Sequence, residues 1–304
     1  MNSIKINNVC KSFGEVKALD NISLEIHDGE LFGLIGPDGA GKTTLFKSLV
    51  TLLRCDSGNS TVCELDTVTN RKEIRQIVGY MPGTFSLYSD LTVYENLKFF
   101  ADIFGTTIEK GYDLIKDIWV QIEPFKNRLS GKLSGGMKQK LALCCALVHQ
   151  PEVLFLDEPT TGVDPVSRKE FWQMLRKLKE KKITIFVSTP YMDEAVLCDR
   201  VALIQDGRIL SIDTPEGVID SFSRDLYEIK PHRIYDVLKA LYKWDKSYSS
   251  NAFGNSVHFI GKDDNVSVEQ ILSFFKDSGI SVEYVKRIKP SIEDCFIEFM
   301  SGKK

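Results

Sequence analysis

Two kinds of apolar pattern alternate along the first two thirds of the chain. Residues 4–11 and 22–27 alternate apolar with polar positions, which predicts two strands of a small antiparallel sheet, and Asp28-Gly29 predicts the turn after them. Residues 31–35, 153–156 and 183–189 are short, nearly continuous apolar runs, as expected of parallel strands covered on both faces. Helical spacing recurs at 44–53, 92–104, 110–122, 137–147 and 168–182, the last with a basic face that reads as solvated surface. After Asp213-Thr-Pro-Glu216 the character changes. Strands are predicted at 226–230, 246–251, 256–260 and 281–287, with helices at 232–243 and 267–278, an order βαββαβ that matches the ferredoxin-like arrangement. Pro290, Ser291 and two acids then open a last helix. The 304 residues thus divide into a main α/β domain, 1–220, and a small α+β domain, 221–304.

Composition narrows the class. The chain is 43 % hydrophobic and 27 % charged, as in a globular protein, and its net charge of −3 offers no footprint for nucleic acid or an anionic membrane. No apolar run approaches a membrane span and the first residues lack a signal-peptide core, so membrane association is expected through another chain. Seven cysteines without a C-x-x-C and four isolated histidines point to neither disulfides nor a metal centre.

The candidate chemistry begins with Gly36, Pro37, Asp38, Gly39, Ala40, Gly41, Lys42 and Thr43, which fit G-x-x-x-x-G-K-[ST] between a predicted strand and a helix opening at Thr44. Glycines let the backbone wrap a phosphate chain, and successive N–H groups at a helix N-terminus supply positive charge. Lys42 would reach the β- and γ-phosphates and the Thr43 hydroxyl would ligate Mg²⁺. Further on, the apolar strand ends in Asp157 and Glu158, one suited to Mg²⁺ and the other to positioning or deprotonating water. Between them, Leu133, Ser134, Gly135 and Gly136 precede a helical run, a second anion cradle with a Ser cap.

With these three motifs in this order, the chain resembles the ATP-binding cassette family, the nucleotide-binding subunits of ABC transporters. The resemblance implies a P-loop NTPase cassette, a mixed sheet with a small antiparallel subdomain and a helical subdomain at about 84–150. It implies ATP and Mg²⁺ as cofactors, Phe13 as the aromatic that stacks on adenine, and Leu133–Gly136 reaching the γ-phosphate bound on an opposite cassette. Gly162-Val-Asp164 matches the loop at the dimer interface, and 199–208 the closing hairpin. The aromatic-aliphatic stretch with Phe85, Leu87 and Tyr88 matches the cleft for a helix of the membrane permease. The ending Pro290-Ser-Ile-Glu-Asp-Cys-Phe296 resembles that of ABC-2 type exporters.

Two positions depart from the family. Gly83 stands where a Gln should meet Mg²⁺ and the attacking water, and Pro190 stands where a His should touch the γ-phosphate. Gly has no side chain and Pro no donor, so the expected own site binds ATP well and hydrolyses it slowly. An intact signature favours a heterodimer in which this chain completes a different cassette's site, over a homodimer with two slow sites, at the cytoplasmic face of the inner membrane. The alternatives are a nucleotide-gated regulatory cassette and a soluble cassette protein outside transport. The latter usually needs two cassettes or a long coiled coil, and neither pattern is present.

Overall fold

Asn2–Phe13 and Val16–His27 pair antiparallel, with Ile4 opposite Ile26 and Phe13 opposite Val16. Ser57–Val62 pairs with the other edge of Asn2–Phe13, and Leu65–Asp66 completes a four-stranded sheet. The computed structural model describes residues 2–262 and 266–301; the outermost residues of both expected domains, 1 and 302–304, and the segment 263–265 lie outside it.

A second sheet has six strands in the spatial order Arg208–Asp213, Arg200–Gln205, Leu31–Ile35, Thr184–Thr189, Val153–Asp157, Val78–Met81. Five are parallel, and Arg208–Asp213 alone runs antiparallel to its neighbour. Leu31–Ile35, Val153–Asp157 and Thr184–Thr189 are buried at every residue, which is why their sequences do not alternate. The helix Lys42–Leu49 packs between the sheets. Its Phe46 ring lies 4.6 Å from Phe186 and 5.8 Å from Phe155, and the same core takes Ile6, Leu24 and Val62 from the antiparallel sheet.

This helix stops short of the predicted 53. Thr51 adopts φ +65°, the amides of Leu52 and Leu53 turn back onto Lys47 O, and Arg75 fixes the turn by donating to Thr51 Oγ1 at 2.9 Å and Thr51 O at 3.1 Å. Conversely, the helix predicted from 168 begins earlier, at Pro165–Glu180. Asp164 caps it by accepting from Val166 N and Ser167 N, with Pro at the first position.

Three helices, Val93–Ile103, Ile108–Ile122 and Gly135–Leu147, form the helical region. Thr92 and Glu95 make a reciprocal capping box on the first. Gly111 permits the second to cross close to the third, since a Cβ there would lie 2.2 Å from Val148 O.

The chain separates into two compact units, Met1–Glu216 and Gly217–Lys304, so the break falls inside the short helix Pro215–Asp220. In the second unit the strands lie in the antiparallel order Ser247–Phe253, Ser256–Gly261, Leu226–Pro231, Val282–Ile288, with helices Ile234–Lys243 and Val268–Asp277. Ile229, Leu241, Phe259 and Phe275 fill its core. The last helix, Ile292–Ser301, is fastened to this sheet by Asp294, which accepts from Ser291 N at 2.8 Å and meets His258 Nδ1 at 2.7 Å.

Candidate nucleotide site

The strand Leu31–Ile35 delivers loop 36–41 to the N-terminus of Lys42–Leu49. The loop packs too closely for side chains at two of its glycines. A Cβ on Gly36 would lie 2.2 Å from Ile204 O, and one on Gly41, whose φ is +104°, 2.4 Å from Ala18 O. Ala40 N donates to Pro37 O, while Asp38 and Gly39 form the exposed crest. Lys42 is 3 % exposed; its Nζ donates to Gly36 O at 2.7 Å and Pro37 O at 2.9 Å and sits 3.1 Å from Glu158 Oε1. Thr43 and Thr44 occupy the first turn, half-buried.

Val153–Asp157 brings the two carboxylates alongside. Asp157 is 2 % exposed, and Ser188 Oγ donates to its Oδ1 at 2.7 Å. Glu158 turns out of the strand at φ +50°, its N–H held 3.0 Å from both Ser188 O and Ser188 Oγ. Thr161 Oγ1 donates to Glu158 Oε2 at 3.4 Å. The neighbouring Tyr80 hydroxyl is pushed well above its ordinary range, first by burial and then by the Asp157 charge. Among the described residues the second oxygen of Asp157 accepts no protein hydrogen bond. One hydroxyl (Thr43) and one such carboxylate oxygen are a donor set that suits Mg²⁺, which keeps most of its shell for water and phosphate. No group of three or more His, Cys, Asp or Glu that could hold a metal ion is present among the described residues.

Gly83 lies against this pair: a Cβ added there would be 3.1 Å from Asp157 O and 3.8 Å from Glu158 Cβ. Backbone alone therefore stands where the family has a Gln. Pro190 follows Thr189, the end of its strand. Thr189 Oγ1 accepts from Tyr191 N and donates to Glu194 Oε2 at 2.5 Å, and Glu194, 1 % exposed, also accepts from Thr160 Oγ1 at 2.9 Å. This buried carboxylate ties the loop after Glu158 to the turn holding Pro190. Sequence reasoning missed Ser188, Thr160 and Glu194; the available signal was polar residues inside or just beyond apolar strands.

The other predicted residues lie around this centre. Phe13 is 52 % exposed and pairs with Val16, which lies two residues before Ala18, the neighbour of Gly41. Leu133 is buried, and Ser134 caps Gly135–Leu147 by accepting from Met137 N at 3.4 Å. Gly135 and Gly136 face Gly162 O and Ser167, where a Cβ on Gly136 would approach Ser167 Oγ to 2.6 Å. The expected patch needs one correction. Phe85 and Tyr88 are exposed, but Leu87 is buried and lines an apolar groove of about 400 Å³ with Leu52, Tyr80, Pro82, Phe100 and Phe104.

Comparison with known proteins gives the family and the fold. A family profile described as ABC transporter matches residues 19–161. The chain is similar to the probable multidrug ABC transporter ATP-binding protein YbhF of Escherichia coli K12, 38 % identical over 98 % of this chain and 52 % of that protein. It spans about half the length of that relative. It is also 33 % identical to the daunorubicin resistance ATP-binding protein DrrA2 of Streptomyces coeruleorubidus, over 94 % of this chain and 91 % of the relative. Among solved structures, the ATP-binding cassette MJ0796, a dimer in a post-hydrolysis state bound to ADP and Pi, superposes with a TM-score of 0.62 at 27 % identity, covering 69 % of this chain and 98 % of that one.

Proposed function

Because the chain belongs to the ABC transporter family, we propose that it is the nucleotide-binding subunit of an exporter, binding and hydrolysing ATP to drive a membrane permease. One observation supports this above all: a buried cation, Lys42, is held by the loop carbonyls 3.1 Å from Glu158, beside Asp157. Loop amides and the helix N-terminus bind the phosphates, and Lys42 neutralises them. Thr43 and Asp157 would hold Mg²⁺, which when bound would offset the negative charge of the phosphates. Glu158 orients the attacking water and accepts its proton as ADP leaves. The Lys42→Ala variant should lose most ATP affinity by calorimetry; unchanged affinity would sink the assignment.

With only backbone at Gly83 and no donor at Pro190, this site is slow, and its partner is a second cassette of a different chain whose site is completed by Ser134, Gly135 and Gly136. The part of YbhF that this chain does not match is somewhat shorter than this chain, still enough for such a cassette. The groove at Leu52, Pro82 and Leu87 suits an apolar helix end of the permease, which would hold the subunit at the cytoplasmic face of the inner membrane. No helix among the described residues is long and apolar enough to cross a membrane. The named relatives favour a drug-like cargo. Ser134→Arg and Glu158→Gln, introduced separately into the purified complex, test the asymmetry. ATPase loss with the first and near-normal activity with the second is expected; equal loss from both would refute it.

A further inference from the structure

We infer that Ser188 is a positioning residue for this site, setting the metal-binding face of Asp157 and the backbone of Glu158 at once. The inference rests on the ATPase reading above. Ser188 is fully buried in a strand whose preceding residues, Ile185, Phe186 and Val187, are apolar, and it pairs in register with Asp157. A hydroxyl there is costly unless bonded, and both of its capacities are used on catalytic neighbours. Its proton goes to Asp157 Oδ1 at 2.7 Å, and its lone pair receives Glu158 N–H at 3.0 Å. Each bond fixes the direction of the other.

Two consequences follow for the chemistry. Pinning Oδ1 fixes the plane of the Asp157 carboxylate and leaves the opposite oxygen for a cation, as hydrogen bonds behind metal ligands do. Glu158 sits at φ +50°, a left-handed backbone that a residue with a side chain adopts at some cost, and both acceptors that hold its N–H belong to Ser188. The other buried hydroxyls of this strand have structural partners instead: Thr184 meets Ser3 and Gly29, and Thr189 meets Glu194. Within this strand, Ser188 alone joins the two carboxylate residues.

The test is Mn²⁺ binding to the ATP-loaded full chain, read by electron paramagnetic resonance, with metal-free ATP affinity measured by calorimetry. Ser188→Ala should raise the Mn²⁺ Kd about tenfold or more, the usual effect of losing a partner behind a metal ligand, while metal-free ATP affinity stays unchanged. Ser188→Cys keeps the packing but offers only a weak donor, so it should lose Mn²⁺ affinity too. Wild-type Mn²⁺ affinity in either variant would overturn the inference and leave ATP binding standing. Failure of the unaltered chain to bind ATP would overturn both.

Discussion

Restoring the two missing groups, as Gly83→Gln with Pro190→His, should turn a slow ATPase into a faster one. Removing one donor aimed at a reacting oxyanion costs about 10²–10³ in rate, or about 2.7–4 kcal/mol. Both positions serve the same γ-phosphate, so their losses do not multiply fully, and the native chain should turn over about 10²–10⁴ times slower than a complete cassette. The structure discounts the recovery. Gly83 is not in the left-handed region and accepts a side chain, but the new Cβ meets Asp157 O at 3.1 Å, so the strand end must yield by a few tenths of an ångström. Overpacking of that kind costs about 1–3 kcal/mol. Gly83→Gln alone should therefore gain only about tenfold, and the double variant about a hundredfold. The assay is single-turnover phosphate release from the purified chain, with ATP affinity measured in parallel and Glu158→Gln added to each background. Glu158→Gln should abolish most of the restored activity and change the native rate little. A native chain that turns over at about 10 s⁻¹, an ordinary enzyme rate, and collapses with Glu158→Gln would refute the reasoning.

Two further outcomes follow from buried polar groups. Asn96 is fully buried and bridges Tyr88 N, Tyr88 O, Leu91 O and Thr92 O, so Asn96→Ala strands the Tyr88 amide and should cost about 2–4 kcal/mol by urea denaturation; a loss under about 0.5 kcal/mol would contradict this. Burial lowers the pKa of His149, against a smaller opposing hydrogen bond to Val78 O, while its ring stacks 3.7 Å from Phe104. Below the ordinary histidine value of 6.5 the unfolded chain takes up the proton before the folded one, so stability present at pH 7.5 should fall as pH drops from 6.5 toward the depressed value. The stability difference between wild type and His149→Gln should therefore shift in the variant's favour between about pH 7.5 and 5.5, and a pH-independent difference would exclude His149 as the cause.

Local chemistry was legible in the chain itself. A glycine-rich loop between a buried strand and a helix has few other folds open to it, and Gly36 and Gly41 proved to be points where the backbone leaves no room for a Cβ. Strand type could be read for the same reason, because Leu31–Ile35 and Val153–Asp157 are covered on both faces and so must be apolar almost throughout. Element ends were less legible. The stop at Leu49 depends on Arg75, from another part of the chain, and Leu87 turned inward although its neighbours Phe85 and Tyr88 stayed exposed.

What only tertiary structure decided is how groups distant in sequence share one site. Parallel pairing places Asp157 beside Ser188, brings Lys42 within 3.1 Å of Glu158, and sets Gly83 against the Asp157 main chain and the Glu158 Cβ. Motif spacing names the groups that bind phosphate, because they act through a local backbone shape. It is silent on the hydroxyls and the buried Glu194 that hold those groups, because their hydrogen bonds form only once separate strands and loops have packed together. One Ser or Thr in an apolar strand looks the same in sequence whether it positions a carboxylate or merely ties two loops.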